Sequence, residues 1–345
     1  MNIKKIKKIL LIQTAFLGDI ILTIPLINNL RNFFPDKEIT ILTTPLGKTL
    51  LEEQKNIDQI IVYDKKGKDK GFFNILKLVE TLSLMSFDWV ISPHRSFRTA
   101  LIGYLARIPH RSGFSNSEGR FLFNDLIEYK KSLYDLERNL YFLENFCENP
   151  LKLDTKIDFP FNNLLEKETG DTLAKRSWSN EKIIGIHTGS KWFTKKWPIN
   201  NFKQLLKELV DKGYKLIIFG DEDDWEISQF VTHELESDNI LNLVAKTDIK
   251  QLISYFRKIA VYVTNDSGPM HIAAALGFPI VAIFGPTVRE LGFFPYTDTA
   301  IVVEEKLVCR PCGKHGGMIC PQKHFKCMKN IKVVDVVRAI ESFIV

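Results

Sequence analysis

Short apolar runs recur along the chain, each ending at a loop of small or polar residues and followed by apolar positions spaced three and four apart. Residues 8–13 (KILLIQ) are the first such run, and Ile20, Ile24, Ile27 and Leu30 continue it as a helical stripe. Runs at 39–43 (ITILT), 60–63 (IIVY) and 88–92 (DWVIS), with a helical pattern around 72–85, repeat the unit. The stretch 161–181 is polar and carries no strand pattern, and the rhythm then restarts at 182–187. It continues through a helix at 200–212, a strand at 215–219, a helix at 224–235, a strand at 240–243, a helix at 248–258, a strand at 260–264, a helix at 269–276 and a strand at 279–284. Strands alternating with helices predict parallel sheets, so the expected class is α/β, with two Rossmann-like domains at 1–170 and 171–345 facing across a cleft. The C-terminal helix is expected to be able to pack back on the first domain.

Length agrees with two cores, since 345 residues exceed the roughly 100–150 of a typical domain. With 45% hydrophobic and 26% charged residues the composition is that of an ordinary globular protein. Gln13 and Asp19 interrupt the opening apolar run, which therefore reads as a buried strand, and no apolar stretch reaches the roughly 18 residues of a membrane span. The expected location is the cytoplasm, with any membrane contact peripheral. A net charge of +6 suits anionic lipid or phosphorylated partners as well as nucleic acid, but no nucleic-acid-reading motif accompanies it, so nucleic acid is not expected as a partner.

In doubly wound sheets ligands bind at the carboxyl ends of strands, and the polar strings of this chain stand there. The fingerprint G-x-G-x-x-G is missing after the first strand, where Thr14-Ala15-Phe16-Leu17-Gly18-Asp19 is found, which counts against a dinucleotide-dependent oxidoreductase. Asp19 reads as an acid favoured at a helix start, or as a general base taking a hydroxyl proton in an inverting sugar transfer. His187-Thr188-Gly189-Ser190, followed by Lys195-Lys196-Trp197-Pro198, offers the hydroxyls, N–H groups and lysine that a diphosphate requires, or a solvated basic loop. In Asn265-Asp266-Ser267-Gly268-Pro269-Met270-His271, Ser267 and Gly268 open a helix as an anion site would, and His271 is either a ligand contact or a buried core histidine. The acids of Gly220-Asp221-Glu222 could bind ribose hydroxyls or form a surface turn.

In this order the segments T-A-F-L-G-D-I-I-L-T-I-P, K-K-W-P, N-D-S-G-P-M-H-I-A-A-A-L-G and C-R-P-C-G-K-H-G…C-P…C-M resemble the bacterial ADP-heptose:lipopolysaccharide heptosyltransferases, most closely their type II members. The likeness spans essentially the whole chain. It implies a GT-B architecture in which the N-terminal domain receives a lipid A-Kdo-heptose acceptor and the C-terminal domain holds ADP-heptose. It further implies Asp19 as the base, Lys195 as the diphosphate lysine, and Ser190, Glu222, Asp266, Ser267, Gly268 and His271 in the donor pocket. Arg95 and Arg98, after the strand ending at Ser92, would meet Kdo carboxylates and lipid A phosphates. The reaction implied is inverting transfer without a catalytic metal or other cofactor, at the cytoplasmic face of the inner membrane. Cys309, Cys312, Cys320 and Cys327 could form a structural zinc site, with His315 and His324 as alternative ligands, or stay reduced thiols. Being remote in sequence from Lys195 and Ser267, that segment is expected to affect stability without affecting donor binding. The rival readings are a transferase of the same family with another nucleotide sugar or acceptor, a nucleotide-binding oxidoreductase, and a non-catalytic zinc-bearing interaction protein.

Overall fold

The computed structural model of the chain describes residues 5–144, 153–233, 235 and 237–344. Two compact units divide at Pro160 and Phe161. The first runs β1 (Lys8–Gln13), α1 (Leu17–Ile21), α2 (Ile24–Phe33), β2 (Glu38–Thr43), α3 (Pro45–Leu51), β3 (Gln59–Val62) and α4 (Phe72–Met85). It continues β4 (Trp89–Ser92), α5 (Phe97–Leu105), β5 (His110–Phe114), β6 (Asp125–Ile127) and α6 (Asp135–Glu144). The second opens with α7 (Asn163–Ala174), β7 (Ile183–His187), α8 (Ile199–Asp211), β8 (Lys215–Phe219), α9 (Trp225–Thr232), β9 (Ile240–Asn242) and α10 (Ile249–Phe256). It closes with β10 (Val261–Asn265), α11 (Gly268–Leu276), β11 (Ile280–Phe284), β12 (Ala300–Glu304), α12 (Lys326–Lys329) and α13 (Val333–Ile344).

Each unit holds a six-stranded parallel sheet, in the orders β3-β2-β1-β4-β5-β6 and β12-β11-β10-β7-β8-β9. Both are the doubly wound order in which the chain reverses direction between the first and fourth strands, leaving a crevice at their carboxyl ends. A parallel strand covered by helices on both faces must be apolar at every position, not at alternate ones. Ile9, Leu10, Leu11 and Ile12 of β1 are accordingly all fully buried, as are Ile280 to Phe284 of β11.

Three expectations change. The helix expected through Ile20 to Leu30 is two helices, because Pro25 has no N–H to carry the ladder past Leu22 and Thr23. The released Leu22 carbonyl accepts instead from Asn139 Nδ2 of α6 at 3.0 Å. The division lies at 160/161 and not at 170, since α7 belongs wholly to the second unit: Glu166 pairs with Arg257 at 3.0 Å and Lys258 at 3.2 Å, and Thr169 with Ser254 at 2.9 Å. Finally, α13 packs on the second unit's own sheet. Val333, Val336, Val337, Ile340 and Ile344 form one apolar stripe that joins the core of β10, β11 and α8.

Candidate functional site at two strand switch points

In the first unit the switch point lies between β1 and β4. Asp19 stands in α1 just after β1, half-buried, and accepts from the Phe16 backbone N–H at 3.2 Å. Its main chain is held by Thr23, whose hydroxyl donates to the Asp19 carbonyl at 2.7 Å and accepts from Gln13 Nε2 at 3.1 Å. Burial, reinforced by the negative charge of Asp135 and opposed by the Phe16 N–H and Arg95, raises the Asp19 pKa to about 7. A carboxylate of that basicity is matched to proton abstraction near neutral pH.

Cations gather at the same end. The Lys65 ammonium donates to the Thr14 carbonyl at 2.6 Å, and burial, then Arg98 and Lys66, pull its pKa down. His94 Nδ1 lies 3.4 Å from the Thr14 hydroxyl; burial, with Lys65 and Arg95, lowers the imidazole to about 4, so it is neutral at pH 7. The Arg95 and Arg138 guanidiniums lie 4.4 Å and 4.7 Å from the centre of the Tyr129 ring. Arg138 is buried and donates to the Lys130 and Lys131 carbonyls, the Tyr129 hydroxyl and, at 3.3 Å, Asp135. Arg98 is exposed on the first turn of α5. Sequence patterns singled out Asp19, Arg95 and Arg98 but missed Lys65, His94, Tyr129, Asp135 and Arg138, which no local motif announces.

The second unit's switch point lies between β7 and β10. Asn265, ending β10, donates to the carbonyls of Thr188 (2.8 Å) and Gly189 (3.2 Å) and accepts from the Trp197 N–H at 3.0 Å, tying the loop after β7 to the loop after β10. That tie sets the register of the basic loop. Lys195 is buried against Asp266 at 2.6 Å, whereas Lys196 faces Asp224 at 3.6 Å. Asp266 also accepts from the Thr287 hydroxyl at 2.6 Å, and Ser190 donates to its carbonyl at 3.0 Å.

Ser267 caps α11 in an extended conformation, yet its hydroxyl does not bond back to the helix N–H groups. It meets the Thr264 hydroxyl at 3.0 Å and His187 Nδ1 at 3.4 Å, so the N–H groups at the start of α11 keep their anion-binding capacity. The far nitrogen of His187 lies 3.3 Å from Asp224. Burial raises Asp224, but its bond to His187, with the charges of His187 and Lys196, outweighs this and holds it below the ordinary carboxylate value. Gly189 is dictated by the same acid, since a Cβ there would sit 2.0 Å from Asp224 Oδ2. His271 is buried and lowered to about 4 by that burial, with Asp266 opposing and Lys195 adding. Its Nδ1 has no hydrogen-bond partner among the described residues.

The family model described as Glycosyltransferase family 9 (heptosyltransferase) matches residues 75–321. The chain belongs to this family. It is 27% identical over 81% of its length to lipopolysaccharide heptosyltransferase 2 of Escherichia coli K12, covering 83% of that protein. Its fold matches E. coli ADP-heptose lps heptosyltransferase II (TM-score 0.77, 24% identity, 97% of this chain and 98% of the other). It also matches a family 9 glycosyltransferase from Veillonella parvula DSM 2008 (TM-score 0.84, 24% identity, 98% and 97%). The architecture is thus that of GT-B-type heptosyltransferases, and this glycosyltransferase serves lipopolysaccharide core synthesis.

Glu222 is exposed on a short turn, and Asp224 of the same segment is buried against His187 at the switch point. Of the two alternatives for Cys309, Cys312, Cys320 and Cys327, a zinc site is not arranged here, because among the described residues no three His, Cys, Asp or Glu side chains are placed to hold a metal. Cys312 Sγ donates to the Cys309 carbonyl at 3.2 Å, Cys309 Sγ lies 3.9 Å from His324, and burial with the other thiols pushes Cys327 up to about 11. Nor is this segment separate from the basic loop. The Thr194 N–H and hydroxyl both meet the Gly317 carbonyl, at 3.0 Å and 2.9 Å, and Arg310 donates to the carbonyl of Thr287, whose hydroxyl holds Asp266.

Proposed function

We propose that this enzyme transfers heptose from ADP-L-glycero-D-manno-heptose to a heptose-Kdo-lipid A acceptor, with inversion and without a catalytic metal, at the cytoplasmic face of the inner membrane. The observation that carries the reading is Asp19, a carboxylate made basic at a strand switch point and surrounded by cations. The acceptor hydroxyl gives its proton to Asp19 as its oxygen attacks the anomeric carbon. The bond from that carbon to the diphosphate breaks, and the electron pair leaves with ADP. Lys195 and the Ser267-Gly268 start of α11 hold the charge that develops on the leaving group, in place of a divalent ion. Ser190, Asp266 and the open Nδ1 of His271 line the donor, and Glu222 takes the ribose. Arg95 and Arg98 receive acceptor carboxylates and phosphates. The likeness to lipopolysaccharide heptosyltransferase 2 supports addition of the second core heptose.

The test is to incubate the pure enzyme with ADP-heptose and heptose-Kdo-lipid A in excess EDTA, following ADP release and the mass and anomeric configuration of the product. A mass gain of one heptose with inverted configuration is expected. Turnover that returns only on adding magnesium or manganese would overturn the metal-free mechanism, and ADP release with a different nucleotide sugar only would overturn the donor.

A further inference from the structure

We infer that the outer face of α4, with the lysine turn that precedes it, docks on an anionic lipid bilayer surface. A helix covering a sheet at the protein surface is normally apolar on one side only. The inner side of α4 obeys this rule: Ile75, Leu78, Val79 and Leu82 pack into the core with Leu10, Ile12 and Val90. The outer side does not. Phe72, Phe73, Leu76 and Leu84 are 64%, 79%, 40% and 80% exposed. Phe73, Leu76 and Leu84 fall on one face at helical spacing.

What covers this face is indicated by its charge. In the turn at 64–71 the two acids are used internally: Asp64 accepts from the N–H groups of Gly67 (2.9 Å) and Lys68 (3.3 Å), and Asp69 accepts from that of Asp64 (2.8 Å). Lys66, Lys68 and Lys70 are left exposed at the start of the helix and Lys77 is exposed on it, so four lysines outweigh the one acid exposed on the outer face, Glu80. Aromatic rings and leucines that insert shallowly, flanked by lysines, are complementary to an anionic headgroup layer. A symmetric contact between two copies would set these lysines against their own images. The helix need not insert further, and among the described residues no helix is long and apolar enough to cross a membrane.

The same turn is joined to the first switch point, since Lys65 donates to the Thr14 carbonyl and the Lys66 ammonium lies 5.8 Å from the centre of the Phe16 ring, three residues before Asp19. A bilayer on α4 therefore lies beside the strand end at which the acceptor is proposed to react. This inference rests on the proposed lipid-linked acceptor for its purpose, but its test does not.

The full chain should co-sediment with vesicles of phosphatidylglycerol and phosphatidylethanolamine, and not with phosphatidylcholine alone. Phe73→Ser with Leu84→Ser, and separately Lys66→Gln with Lys68→Gln and Lys70→Gln, should each lower the bound fraction by about tenfold with an unchanged Tm, as exposed side chains allow. Vesicle binding indifferent to both sets overturns the inference. So does a dimer, seen by sedimentation velocity, that Phe73→Ser with Leu84→Ser dissolves while vesicle binding persists. ADP release with a delipidated acceptor should be unchanged in the Phe73, Leu84 variant. A wild-type chain that binds vesicles but turns over no ADP-heptose would break the proposed function and leave the docking surface standing.

Discussion

The two units share one sheet order and present their polar strings at the same topological point, yet they treat charge in opposite ways. At the second switch point both lysines are matched to acids, Lys195 to Asp266 and Lys196 to Asp224, and Asp224 also meets His187 Nε2 at 3.3 Å. At the first, Lys65 and Arg95 act on one carboxylate, Asp19, and the acid that raises it, Asp135, is already committed to Arg138. A paired framework stays charged and rigid when buried, and so can present a helix start to a diphosphate without rearranging. An unpaired one leaves a proton acceptor and a surplus of positive charge for whatever anion arrives. Identical topology thus carries two different charge arrangements through side chains alone.

The sharpest way to break this contrast is at Asp19. Asp19→Asn should lower kcat by at least about a hundredfold while calorimetric affinity for the ADP-sugar stays as it was. Equal loss of donor binding would place Asp19 among structural residues. Next in size is Lys195→Ala, which strands buried Asp266 and should cost on the order of 3 kcal/mol in a denaturant melt as well as weaken ADP-sugar binding. Lys196→Ala, at a longer and more exposed pair, should do less of both. If the order were reversed, the pairing described for the second unit would be the wrong one.

Gly189→Ala forces a methyl onto Asp224, and a loss of about 2 kcal/mol is expected from the overpacking. An unchanged melt would mean that Asp224 moves freely, against its role as partner of His187. A smaller effect should appear in the pH profile. Because Asp19 is raised to about 7 and acts as base only when ionised, kcat should climb as pH rises through that value. Asp135→Asn removes a negative charge that favours the protonated form, so the limb should move to lower pH. A parallel drop at every pH would show Asp135 to be merely structural. Smallest is Thr194→Ala, which deletes the hydroxyl bonded to Gly317 and should cost about 1 kcal/mol, with a measurable fall in donor affinity because Lys195 is its neighbour.

The strand-end placement of Asp19, Lys195 and Ser267 was legible because each follows a strongly apolar strand, and strand ends in doubly wound sheets are where ligands go. Elements with weaker patterns were not: β5 is half polar, β6 has three residues, and α5 and α7 lack a clean apolar repeat, so only packing defines them.

By itself, then, the order of apolar runs and polar loops determined that the chain forms two parallel α/β units, which family they resemble, and at which strand ends the polar strings stand, because burial on both faces of a sheet leaves a local trace in every strand. Only the tertiary structure decided the electrostatics. Asp135 reaches Asp19 because α6 is anchored through Asn139 to the Leu22 carbonyl, Asp224 reaches His187 because β8 pairs with β7, and the cysteine segment reaches Lys195 through Thr194 and Gly317. Each of these contacts joins residues distant along the chain. A charge acts through space on whatever folding brings near it, so no spacing in the sequence could announce it.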